Sequence, residues 1–151
     1  MKRHIVIPLA AAIGFCVAAI PAHAHHSYGA FFDICRSVTI EGRVESVQWK
    51  DPHVMIELKR DDGTDYRAEW TGLRNLSISG ITADVLKPGD RVVVTGSPWK
   101  DRALMDPSVR ALVSDPPPNL VSALTQIRRA SDGWTWMRDA TQGGCTSRAQ
   151  P

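Results

Sequence analysis

An all-β domain is what this sequence predicts, and three features carry the expectation. Between Val38 and Val113 the chain breaks into short runs of alternating apolar and polar residues. Turn-forming pairs separate those runs, and one long run slips phase halfway along.

Val38, Ile40, Gly42 and Val44 alternate with Thr39, Glu41, Arg43 and Glu45, and after Ser46 the apolar phase moves by one residue to Val47 and Trp49. A slip inside a continuous run is the signature of a β-bulge or sharp bend, and Gly42 leaves room for one. The first strand is therefore expected to be long and bent. Asp51-Pro52 is a turn, since proline lacks the N–H a ladder needs. Val54, Ile56 and Leu58 form the inward face of a second strand. Asp62-Gly63 is a hairpin signal, and Tyr66, Ala68 and Trp70 give the third strand. Gly72 to Gly80 reads as a loop. Thr82 is placed to cap a short helix through Leu86, stopped by Lys87-Pro88-Gly89-Asp90. Val92, Val93 and Val94 make a β-branched fourth strand, and Val109, Ala111 and Val113 suggest a fifth.

Five strands with a long bent first member and a helix before the fourth add up to a small OB-like barrel, in which closure hides the sheet edges. An open β-sandwich fragment is the alternative. The barrel domain is assigned to residues 25–115 and a proline-rich spacer with a C-terminal tail to 116–151. Pro116, Pro117 and Pro118 stiffen the spacer. Asn119 is then positioned to cap a short helix carrying Leu120, Leu124 and Ile127, and Trp134, Trp136 and Cys145 are expected to fold back onto the barrel.

The first 24 residues have the three-part form of a secretory signal. Lys2 and Arg3 are followed by the apolar run Ile5–Ile20, the helix breaker Pro21 and the small residues of Ala22-His23-Ala24. That run is short for a bilayer span, and no basic stop-transfer cluster follows it. Phe15 before Cys16 is too large for lipoprotein processing. Cleavage after Ala24 and a periplasmic location are expected, with no membrane anchor afterwards. Cleavage removes Lys2 and Arg3, so the basic count falls from 18 to 16 and equals the 16 acidic residues. A neutral mature chain argues against nucleic acid as a partner, because that affinity rests on excess Lys and Arg. Two mature cysteines, Cys35 and Cys145, read as a disulfide in an oxidising compartment, although free thiols remain the alternative.

The runs HHSYGAFFD, VTIEGRVESVQWKDPHVMIEL and ISGITADVLKPGDRVVVTG resemble a bacterial family of small exported proteins known only as a domain of unknown function. The paired histidines with their aspartate, together with the W-x-D-P-H run, are the specific part. LKPGD with its valines recurs in many OB-like barrels. The resemblance implies an exported OB-like domain with no assigned activity. Cys35 and the tail after Pro118 depart from the family's pattern.

The mature histidines are His25, His26 and His53. After cleavage His25 offers both an α-amino group and an imidazole, and His26 or His53 would complete a nitrogen-rich set of the kind Cu(II) prefers. Asp33 could orient one imidazole. Against this, terminal histidines are often only soluble ends, and His53 beside a turn can simply bond backbone. Zinc frameworks with C-x-x-C spacing are absent. Trp49 and Trp70 share the core phase, whereas Trp99, beside Lys100 and Asp101, is expected to be exposed. Glu57 and Glu69 lie out of phase with the core, and solvated strand charges paired with Arg67 and Lys59 are the expectation. No nucleophile motif supports hydrolysis, so no catalytic residue is assigned. The expected function is a non-enzymatic binding module for a small ligand, metal ion or periplasmic protein. A copper protein using His25 is the alternative.

Overall fold

The computed structural model describes residues 28–113 and 119–138. A short helix α1 (Tyr28–Phe31) leads into strands β1 (Val38–Gln48), β2 (Met55–Lys59) and β3 (Asp65–Glu69). Helix α2 (Leu73–Ile78) precedes β4 (Arg91–Pro98). A 3-10 turn at Arg102–Leu104 and helix α3 (Pro107–Leu112) come before β5 (Leu120–Arg129) and the short β6 (Thr135–Met137). No helix among the described residues is long and apolar enough to cross a membrane.

The strands close into a five-stranded OB-like barrel, β1-β2-β3-β5-β4 and back to β1, with β6 added beside β5. β1 makes this possible by serving two neighbours. Its first half pairs with β4, from Val38↔Gly96 to Arg43↔Arg91, and its second half with β2, from Arg43↔Lys59 to Gln48↔Met55. The register shifts between Val44 and Ser46, so the bulge sits where the apolar phase slips. Gly63 takes φ 84° in the β2–β3 hairpin, the left-handed conformation that its Asp-Gly turn requires. Closure comes from a parallel contact of β3 with β5, Arg67↔Leu120 and Ala68↔Val121.

Val54, Ile56 and Leu58 are buried together, as the alternation requires, and share the interior with Ala68, Val92 and Val94. Each of the valine, isoleucine and leucine side chains contributes roughly 1.5–3 kcal/mol by leaving water. Leu76 carries α2 onto the same core. Trp134 and Trp136 also pack against it, so the segment after β5 does return to the barrel.

Three local expectations are corrected. The helix before β4 spans Leu73–Ile78 rather than 82–86. Its first N–H, from Leu73, is met by Asp51 Oδ1, a cap supplied from 22 residues upstream and invisible to local sequence. The Thr82 hydroxyl instead bonds the Asp84 carboxylate within a turn. Val109 and Ala111 lie in helix α3, not in a fifth strand. Asp106 caps that helix by accepting from Ser108 N, and Pro107 occupies its start, so its capping chemistry outweighs a weak alternation. The fifth strand is β5, where a helix capped by Asn119 had been expected. Ala123 takes φ 48°, and the β4–β5 register shifts between Thr95 and Ser97. An irregularity of this kind shifts strand phase, so Leu120, Leu124 and Ile127 mimic helical spacing while lying on one strand.

Candidate functional site

One end of the barrel gathers polar side chains from four elements. The strand turn at 51–53 is pinned on both sides of His53. Val54 N–H donates to Thr71 O at 3.2 Å, and Trp70 N–H donates to Val54 O at 2.8 Å. Asp51 holds α2 through Leu73. Gly72 lies so close to this turn that a Cβ there would sit 2.7 Å from Pro52 O. His53 is thereby fixed over the end of β3.

There it meets Glu69, with His53 Nδ1 2.7 Å from Glu69 Oε1. Against an ionised Glu69 the proton sits on Nδ1, and in that tautomer Nε2 is the acceptor. The Tyr28 hydroxyl donates to that Nε2 at 3.3 Å, and the two rings lie 5.9 Å apart. The His53 side chain is 34% exposed and that of Glu69 only 16%. Glu69 is therefore not the solvated strand charge expected. Burial pushes its carboxyl above the usual range, opposed by His53 and by Ser122. Ser122, on β5, is fully buried and faces this carboxylate, but the contact falls short of a good hydrogen bond and its hydroxyl has no other partner among the described residues. Burial also raises the Tyr28 phenol, as does Glu69, while Arg138 pulls it down.

Behind this cluster stands a stack of indoles. Trp70 is buried and meets Trp49 edge-on at 6.3 Å and Trp136 at 5.1 Å. Trp49 and Trp70 thus pack in the core as their phase indicates. Trp70 Nε1 is buried with no partner among the described residues. Trp99 is not exposed. It is half-buried against Phe31 at 5.9 Å and Phe32 at 5.1 Å, where the bridge Phe32↔Trp99 and the bond Asp33 N–H→Pro98 O staple α1 to the end of β4.

Of the three candidate metal-ligating histidines, only His53 is among the described residues; His25 and His26 lie outside them, as does Cys145. The carboxylate that orients His53 is Glu69, whereas Asp33 accepts from Cys35 N–H in its own turn at 3.3 Å. No group of three or more His, Cys, Asp or Glu side chains among the described residues is placed to hold a metal ion. Glu57 pairs with Arg67 at 2.8 Å and Lys59 with Asp65 at 2.7 Å, the solvated strand-face pairing expected of Glu57. Tyr28 and Ser122 were missed because no local pattern marks them; the staple of α1 to β4 brings Tyr28 to His53 and Glu69, and the closing β3–β5 pairing brings Ser122.

A search of curated proteins finds none that matches the chain. A family model matches residues 14–105, spanning β1 to β4 with Tyr28, His53 and Glu69, and the chain belongs to that family, DUF6152, a family of unknown function.

Proposed function

We propose that the chain is an exported periplasmic binding module without enzymatic activity, and that its ligand site is the barrel end where Tyr28, His53 and Glu69 meet. The observation that carries this reading is the His53 imidazole itself: locked at Nδ1 by a mostly buried carboxylate, yet one-third open to solvent. A fixed, accessible acceptor beside a tyrosine hydroxyl suits recognition of a small polar ligand or a metal ion. Export is supported by the signal-like residues 1–24. The test is the intact mass of untagged protein recovered from the periplasm and never exposed to chelator. Denaturing conditions should give a chain beginning at His25, and native conditions that chain with any bound ligand. Recovery of the chain from Met1 would overturn the export reading.

A second reading, a copper protein, is favoured by where α1 lies. Tyr28 touches His53 and is three residues from His25. Three residues span at most about 10–11 Å, which keeps the α-amino group and imidazole of a His25 terminus within reach of His53. Such a set would suit Cu(II). Cu(II) titration of the mature protein, compared with a version carrying one additional N-terminal Gly, tests this. Weaker binding by the extended form is expected, and equal affinity would return the site to the general binding reading.

A further inference from the structure

We infer that the barrel-end site takes a small carboxylic acid, held as its anion by Arg138, Tyr28 and His53. This rests on the binding-module reading and names the ligand class of that same site.

Arg138 carries the argument because its charge is uncompensated. It directly follows β6 and is half-buried. Arg91 and Arg129 are half-buried too, and each meets two carboxylates, Glu41 and Asp61 for the first and Asp90 and Asp132 for the second. The Arg138 side chain has no ion-pair or hydrogen-bond partner among the described residues. A guanidinium is a planar fork of donors that matches a carboxylate, so one that is half-buried and unpaired is suited to receive an anion.

Register aims this fork at the site. The Arg138 N–H donates to Thr125 O at 2.9 Å and continues the β6 ladder, which puts Arg138 on the same face as Trp136. Trp136 meets Trp70 edge-on at 5.1 Å, and Trp70 directly follows Glu69. From that face the guanidinium acts on the Tyr28 phenol, which it pulls down. The half-buried Trp136 offers an apolar wall to the body of the acid.

Charge selects the ligand class. The Glu69 carboxylate already has His53 Nδ1 at 2.7 Å, so the charge left without a partner is positive. The ionisable groups around the His53 ring are Tyr28 from α1, Glu69 from β3 and, acting through Tyr28, Arg138 from the end of β6. One guanidinium beside an occupied carboxylate suits a monoanion, whereas a phosphate dianion would face Glu69 with charge to spare. The Tyr28 hydroxyl lies 3.3 Å from Nε2, a long hydrogen bond that it can leave to donate to the anion. His53 then presents Nε2–H by taking up a proton, so binding strengthens as pH falls through the range in which histidines titrate, about 6.5.

The experiment uses the exported chain with both termini intact, titrated with benzoate, benzamide, benzylamine and inorganic phosphate. Long-range proton–nitrogen correlation spectra follow the His53 imidazole, and tryptophan fluorescence follows binding. Benzoate should shift the ring and benzamide and benzylamine should not, with phosphate at least about 10-fold weaker. Benzoate affinity should fall about 10-fold from pH 6 to pH 8. Arg138→Gln should weaken benzoate about 10–100-fold, and Arg138→Lys, which keeps the charge but loses the fork, should fall between. Tyr28→Phe should weaken it about 2–10-fold. The Arg138 side chain has no partner to lose, so these variants should keep the fold, which circular dichroism verifies. Unchanged benzoate affinity in Arg138→Gln overturns the inference, as does preference for benzamide, benzylamine or phosphate, and either result leaves the binding-module reading standing. A His53 ring unmoved by every probe overturns both.

Discussion

Replacing Gly72 with Ala perturbs the site without touching any of its polar groups. Gly72 has φ −72° and ψ 160°, an ordinary extended conformation that alanine adopts freely. On backbone grounds alone the substitution should therefore stabilise by about 0.4–1 kcal/mol, through reduced freedom of the unfolded chain. Tertiary contact reverses the sign. The added Cβ would lie 2.7 Å from Pro52 O, where ordinary contact begins at 3.4 Å, so the 51–53 turn must retreat by 0.7 Å. Crowding of that kind costs about 1–3 kcal/mol. The net expectation is a loss of about 1–2 kcal/mol once the two effects are combined. The retreat also carries His53 away from Glu69, and 0.7 Å added to their 2.7 Å contact stretches it beyond normal hydrogen-bond length. Urea unfolding measures the stability, and long-range proton–nitrogen correlation spectra of the imidazole report whether the Nδ1 proton remains bonded. A variant that is more stable than wild type, or one with an unchanged His53 Nδ1–H signal, would refute the coupling between α2 and the site.

Ile56 is fully buried in the barrel, and Ile56→Ala should cost about 2–5 kcal/mol in denaturant unfolding, with a loss under about half a kcal/mol incompatible with its inward phase. Asp132 is held down to about 2 by its hydrogen bonds from Arg129, with help from Trp134 N–H. Because its folded value is depressed, its contribution is complete above the ordinary carboxylate value of 3.8 and is lost as pH falls toward 2. Asp132→Asn should flatten that part of the acid limb, and an unchanged limb in pH-resolved unfolding would refute the assignment. For the cysteines, which the proposed export would place in an oxidising compartment, alkylation of freshly isolated protein without reduction should label neither Cys35 nor Cys145. Full labelling of both would rule out their bond, whose long loop is worth about 4–5 kcal/mol on the chain-entropy model.

Strands β1 to β4 were legible because their signals are local. Alternation at Val54, Ile56 and Leu58, the Asp62-Gly63 turn and the phase slip near Ser46 each act within a few residues, and each is realised in the barrel. Two of the local expectations failed because the deciding partner was distant. Helix α2 takes its cap from Asp51, and β5 is a strand because β3 and β4 hold it despite its helical spacing. The strand expected at Val109, Ala111 and Val113 is different in kind, since Asp106 and Pro107 carry a local helix start that outweighs their alternation. The sequence by itself determined an all-β barrel, its bent first strand and His53 as a candidate ligand. Only the tertiary structure decided that Glu69 leaves the solvated face to lock His53, and that Tyr28 and Ser122 join them. The physical reason is that three separate pairings converge there: the β2–β3 pairing sets Glu69 beside the turn of His53, the Phe32–Trp99 staple brings α1 and Tyr28, and the parallel β3–β5 pairing between residues more than 50 positions apart brings Ser122, and no periodicity encodes which side chains such pairings assemble.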